Sequence, residues 1–248
     1  MFSPLPRLTR QQFLWRLLGL GAAGSLSALA RWAVSLTRAV AAPTPAAPVP
    51  ACVVRPEQTE GPFFVEEALN RSDVRRDPSD GSVKEGAPLR LTFAVSRMAG
   101  GRCSPLPGAV VHVWQCDALG VYSDVQDARV DTRGRKFLRG YQTTDPSGLA
   151  RFTTIYPGWY QGRTVHIHFK IRVPAAAGRA LEFTSQLCFD DGLTDQVHTR
   201  PPYAQKGPRP VRNAQDFIFR TGGDRLMLSV VRDGEGYAAT FPIALVLN

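Results

Sequence analysis

The stretch "YPGWYQGRTVHIHFKI", residues 156–171, holds two of the chain's six tyrosines and two of its four histidines. Strand alternation puts His166 and His168 on one face, with Val165, Ile167 and Phe169 on the other. Two neutral imidazoles side by side make half of a metal site. A two-histidine, one-carboxylate ferrous site finds no local carboxylate, since no Asp or Glu lies between Asp145 and Glu182. Phenols are what the neighbourhood offers: Tyr156 and Tyr160, and further upstream Tyr122 in "DALGVYSDV". A phenolate is a hard anionic donor, and it favours a hard, highly charged cation such as ferric iron.

Such residues need a rigid frame, and the body of the chain reads as strands. Candidates with period-2 alternation and β-branched residues are 89–96, 109–116, 149–156, 163–173, 181–189, 216–220, 225–231 and 237–247. Turn sequences such as "DPSG" (145–148) and "DGEG" (233–236) separate them. No long amphipathic helix is evident, and the best short helical candidate lies around 193–205. The pattern predicts an all-β chain, a β-sandwich with long active-site loops and little helix.

The 248 residues, 44% apolar and 21% charged, suit one folded domain of good size. The net charge of +9 is unevenly placed. Residues 1–41 hold Arg7, Arg10, Arg16, Arg31 and Arg38 and no acid, which leaves +4 for the remainder. No Lys/Arg run is interleaved with aromatics, so the charge does not point to nucleic acid. It belongs to an N-terminal segment with a basic start, the small and apolar run "FLWRLLGLGAAGSLSALA", and "AVA" at 39–41 in the small-x-small form of a cleavage site. Residues 1–41 thus read as an export signal or a membrane anchor, the latter making a membrane the partner of an uncleaved chain. Residues 42–51, with "APTPAAPVP", form a Pro/Ala linker, and 52–248 the folded domain. "TRQQFL" is similar to the twin-arginine signal, with Gln11 where the second arginine would stand, so the expected location is periplasmic or secreted. Cys52, Cys103, Cys116 and Cys188 allow two disulfides in three pairings, while Cys116 and Cys188 equally suit buried free thiols.

Taken together, "VHVWQCDALGVYSD", "GYQTTDPSGLARFTTIYPGWYQGRTVHIHFKI", "FTSQLCFDD" and the upstream "QTEGPFF" (58–64) resemble the intradiol ring-cleavage dioxygenases. The forms "TIYPGWY" and "GRTVHIHF" are most similar to an exported, single-domain branch. The resemblance implies non-haem Fe(III) held by Tyr122, Tyr160, His166 and His168, with Tyr160 the phenolate that leaves the metal when substrate binds. It implies an active-site arginine at Arg163 and a supporting glutamine at Gln186. The implied substrates are a catechol-type diol and O2, both of whose atoms enter the product as the ring opens between the hydroxyls. Fe(III) makes the loss of a tyrosine proton, ordinarily near pH 10, favourable at neutrality.

Two departures stand out. Five residues separate Tyr160 from His166, fewer than in the catechol and protocatechuate enzymes, which implies a more open site and room for bulkier substrates. Phe63 and Phe64 stand where the family often has tyrosine. The alternative is a catalytically idle metal-binding sandwich serving as a surface module; Arg163 and Gln186, which iron ligation alone does not need, argue against it.

Overall fold

In the computed structural model, residues 52–126, 130–174 and 180–247 are described. The proposed export segment and linker, residues 1–51, lie outside them. The strands are β1 (Pro88–Ala99), β2 (Arg102–Pro105), β3 (Val110–Trp114), β4 (Arg139–Thr143), β5 (Leu149–Ile155), β6 (His166–Val173) and β7 (Leu181–Cys188). A single α-helix among the described residues, α1 (Asp191–His198), is followed by short 3-10 turns and then β8 (Val230–Asp233) and β9 (Gly236–Val246).

These strands form two sheets, as expected for a sandwich. One is antiparallel in the order β4-β3-β6-β7. The other runs β8-β9-β1, with β5 and β2 sharing the far edge of β1. β1 pairs antiparallel with β5 but parallel with β9. Alternation decides what each sheet buries. Ile167, Phe169 and Ile171 of β6 meet Leu91 and Phe93 of β1 and Phe241 of β9 in one core. Phe169 lies 5.2 Å from Phe93 and 5.6 Å from Phe241, ring centre to ring centre, so aromatic contacts tie the sheets together.

The opposite face of the four-stranded sheet is polar and aromatic, and register assembles it. Trp114 of β3 pairs with His168 of β6, which pairs with Gln186 of β7. The same face continues along β6 through Lys170 and Arg172.

Three sequence expectations need correction. Residues 216–220 do not form a strand: the Asp216 carboxylate accepts hydrogen bonds from the amides of Ile218 (2.8 Å) and Phe219 (3.0 Å), which curls the chain into a 3-10 turn. The strand expected at 225–231 begins only at Val230, because a 3-10 turn occupies Gly223–Leu226. The helix expected at 193–205 is shorter and earlier, starting where Asp190 accepts from the Leu193 amide and giving way before Pro201 and Pro202. β2 and β4, short and polar, carry too little alternation to be read.

Cys52 and Cys103 form a disulfide, whereas Cys116 and Cys188 are buried free thiols. Burial pushes both thiols up to about 12. Native protein should therefore present no fast-reacting thiol to an aromatic disulfide reagent, and protein unfolded without reductant should present two. Four thiols under those conditions would rule out the disulfide.

Candidate metal centre

His166 and His168 open β6 and are 2% and 1% exposed. The Nδ1 of His166 lies 2.7 Å from the Thr164 carbonyl oxygen, to which it donates, so its Nε2 carries a free lone pair. That Nε2 sits 2.9 Å from Nε2 of His168. The His168 ring is held by packing instead: the Trp114 indole lies parallel to it, 8° from coplanar at 5.0 Å. Also against the ring is Gly61, with φ +74°, where a Cβ would come within 3.2 Å of His168 Cε1.

The two phenols arrive on loops that fit together through glycines. Tyr122 follows β3, in a turn where the Asp117 carboxylate accepts from the amides of Leu119 and Val121, both at 3.0 Å. Tyr160 lies on the β5–β6 connection. A side chain on Gly120 would strike the Trp159 carbonyl, and one on Gly158 the carbonyls of Asp117 and Ala118, so only glycines let the loops close. The rings of Tyr122 and Tyr160 stand edge to face at 5.6 Å, and Tyr160 Oη is 3.5 Å from His166 Nε2.

Burial dominates the electrostatics of these four groups. Burial pushes the Tyr160 phenol up to about 12, with the neighbouring Arg163 pulling the other way. Burial likewise holds Tyr122 well above its ordinary value. Burial and the Arg163 charge take His166 down to about 3; burial and its imidazole neighbour push His168 well below normal. Alone, these groups are two neutral phenols and two neutral imidazoles. The Tyr122 hydroxyl is fully buried and has no hydrogen-bond partner among the described residues. No cluster of three or more His, Cys, Asp or Glu suited to a metal occurs among them either. The donors that do converge are hard phenols and imidazoles, and they fit a hard cation.

The direction of Arg163 is what a regular strand would get wrong, because a strand running from 163 would turn it away from the histidines. The strand begins only at His166, and Gly162 at φ +87° bends the chain ahead of it. Arg163 is 9% exposed and donates from Nε to Asp216 (2.8 Å) and from Nη2 to Gln186 Oε1 (2.6 Å). All six predicted residues therefore lie in one neighbourhood. Sequence reasoning missed Asp216, 1% exposed, which also accepts from the Thr164 amide at 2.7 Å. An aspartate opening an otherwise apolar run was its one visible sign. Also missed was Trp114, whereas the stretch 58–64, matched by its resemblance to the family, does lie across the site. Phe63 stacks on Tyr122 at 4.3 Å, and Gln186 Nε2 donates to the Thr59 carbonyl at 3.0 Å.

The sandwich has counterparts of known class. The family model described as dioxygenase matches residues 59–199. An intradiol ring-cleavage dioxygenase from Tetranychus urticae is 30% identical, with a TM-score of 0.67 over 79% of this chain and 95% of that one. The dioxygenase domain of a dioxygenase–carbohydrate-binding protein fusion from Streptomyces sp. SirexAA-E is 29% identical, with a TM-score of 0.55 over 79% of this chain and all (100%) of that one. Hydroxyquinol 1,2-dioxygenase from Corynebacterium glutamicum is 27% identical over 132 residues, 46% of this chain and 40% of that protein. The match thus spans about two fifths of that curated relative. The chain belongs to the intradiol ring-cleavage dioxygenases, and is an enzyme of that class.

Proposed function

We propose that the protein is a non-haem Fe(III) enzyme that inserts both atoms of O2 into a catechol-type diol and opens the ring between the two hydroxyls. One observation carries this reading: two imidazole nitrogens 2.9 Å apart converge with one buried and one partly buried phenol, the buried one lacking any hydrogen-bond partner among the described residues, beside a buried arginine. Tyr122, Tyr160, His166 and His168 would hold the iron. Bound there, iron would supply the charge that ionises the phenols and the electron-accepting power that prepares a chelated diol for O2.

The chain's own groups have separate tasks. Tyr160, less buried than Tyr122, would take a proton from the diol on its Oη as substrate enters. Arg163 would face the oxygen on which negative charge gathers, a contribution of about 3 kcal/mol for one such donor. Gln186 and Asp216 fix that guanidinium from two sides. Phe63 offers substrate an apolar edge rather than a hydroxyl. With the short Tyr160–His166 connection, this favours substrates bulkier than free catechol. Export from the cytoplasm is part of the proposal, and the Cys52–Cys103 disulfide accords with an oxidising compartment.

The decisive measurement is a visible spectrum. Iron-loaded protein should be red to burgundy from phenolate-to-iron charge transfer, and anaerobic addition of catechol should shift the band. A colourless protein with full iron, or a band indifferent to catechol, would overturn the reading.

A further inference from the structure

Beyond the histidines, the outer face of β6 carries two cations, Lys170 and Arg172. Lys170 is 3% exposed, where an ammonium is seldom found unless paired. Two carboxylates hold it: Glu60, and Glu182 of β7 at 2.8 Å. The Phe64 ring centre lies 4.1 Å from its Nζ. Arg172 meets Glu66 through two hydrogen bonds of 2.7 Å. Glu60 and Glu66 bracket Gly61, Phe63 and Phe64, the residues of 58–66 that touch His168, Tyr122 and Trp114.

The backbone here has few other ties. Gln58 donates to the Thr184 carbonyl, the Thr59 carbonyl accepts from Gln186, and the Phe63 carbonyl accepts from Arg139. Between Thr59 and Phe63, the Glu60 carboxylate is the one hydrogen-bonding or ionic anchor to the sheet among the described residues.

We propose that Lys170 is a positioning residue of this site: through Glu60 it holds the 58–66 strap down on His168 and Tyr122, and so sets the roof under which an aromatic substrate fits. This rests on reading the site as a metal centre for aromatic diols. Lys170 touches no substrate and acts through the strap alone. Glu182 binds the same ammonium from the sheet side and also accepts from Arg172 Nε at 2.9 Å, so it reaches the strap only indirectly, through the two cations that Glu60 and Glu66 hold.

That difference gives the test. Glu60 and Glu182 are 40% and 51% exposed, so removing either strands no buried charge on the carboxylate side and leaves Lys170 one partner. Glu60→Ala should speed amide hydrogen exchange at Gly61, Phe63 and Phe64 by about three- to fivefold, in metal-free and iron-loaded protein alike. It should raise KM for catechol by a similar factor while kcat stays within about twofold. Glu182→Ala, which leaves both strap carboxylates on their cations, should move each quantity clearly less than Glu60→Ala does. Lys170→Met should reproduce Glu60→Ala, and the double variant should be no worse than either single one. Equal effects of the two alanine substitutions, or none from Glu60→Ala, would overturn the proposal. Exchange in metal-free protein distinguishes failure of the latch from failure of the functional reading. A faster strap in a protein that takes no iron leaves the latch standing and removes the functional reading. A protein that takes iron and opens rings with strap exchange unmoved by Glu60→Ala removes only the latch.

Discussion

Arg163→Leu should lower ring opening by on the order of 10²-fold while leaving iron and its phenolate absorption largely in place. The guanidinium is not one of the four donors that would hold the metal, so binding the ion does not depend on it. Its two partners, Asp216 and Gln186, fix it in one orientation beside Tyr160, and a donor held in that way contributes where charge develops during reaction. The loss should therefore fall on kcat, and catechol should still shift the spectrum. Stability will fall too, since leucine leaves Asp216 buried without its cation. The amides of Thr164, Ile218 and Phe219 still donate to that carboxylate. The cost should thus stay below the about 3–5 kcal/mol of a buried pair broken outright. Arg163→Lys keeps the charge but cannot make both contacts, so it should recover part of the stability and little of the rate. Ring opening at the parental rate in the leucine variant would mean that Arg163 has no part in the chemistry. Loss of iron would make its role structural.

Tyr122→Phe should act in opposite directions on the empty and the loaded protein. The substitution deletes one oxygen and keeps the ring, so the stack on Phe63 survives. That oxygen is buried with no hydrogen-bond partner among the described residues, an arrangement that costs about 1–3 kcal/mol in a folded protein. Metal-free Tyr122→Phe should therefore melt at the same temperature as the parent or higher. Iron content and visible absorbance should nonetheless fall sharply, because an anionic donor has gone. His168→Ala should also lose iron, but it removes the ring on which Trp114 lies and should destabilise the metal-free protein as well. Thermal unfolding of both forms beside an iron assay checks all three statements. Full iron with an unchanged spectrum in both variants would sink the ligand assignment.

The parts of this site legible in the sequence are those governed by local periodicity. His166 and His168 share a face because a strand alternates, and Ile167 and Phe169 enter the core for the same reason. Tyr122 and Tyr160 could be picked out by type and by resemblance, but their approach depends on loops that interlock only through Gly120 and Gly158. Arg163 was legible as a candidate, and Gly162 beside it as the residue free to bend the chain so that it faces the site, which its positive φ does. Asp216 stayed hidden because what matters about it is a contact with Thr164, 52 residues away. Its apolar followers resemble a strand, and the turn is imposed by the carboxylate itself. The ties of the strap reach across more than a hundred residues, Glu66 to Arg172 being 106 apart, and no local rule reports them. Likewise β2 and β4 are strands by partnership with β1 and β3, with little strand character of their own.

The parallel pairing of β1 with β9 has a consequence for the order in which the molecule is made. Leu89 lies opposite Tyr237 and Met98 opposite Val246, so the first long strand waits for the last before one of its edges is covered. A chain synthesised from its N-terminus therefore carries a β1 edge of unpaired backbone groups until residues 236–246 have been made. Pairings of such sequence separation are slow to form and leave strands exposed to wrong neighbours meanwhile. Phe169 leans on Phe241 of that final strand, and Phe169 stands beside His168 on β6. The strand that carries the histidines thus gains part of its rigid backing only when β9 has joined the sheet.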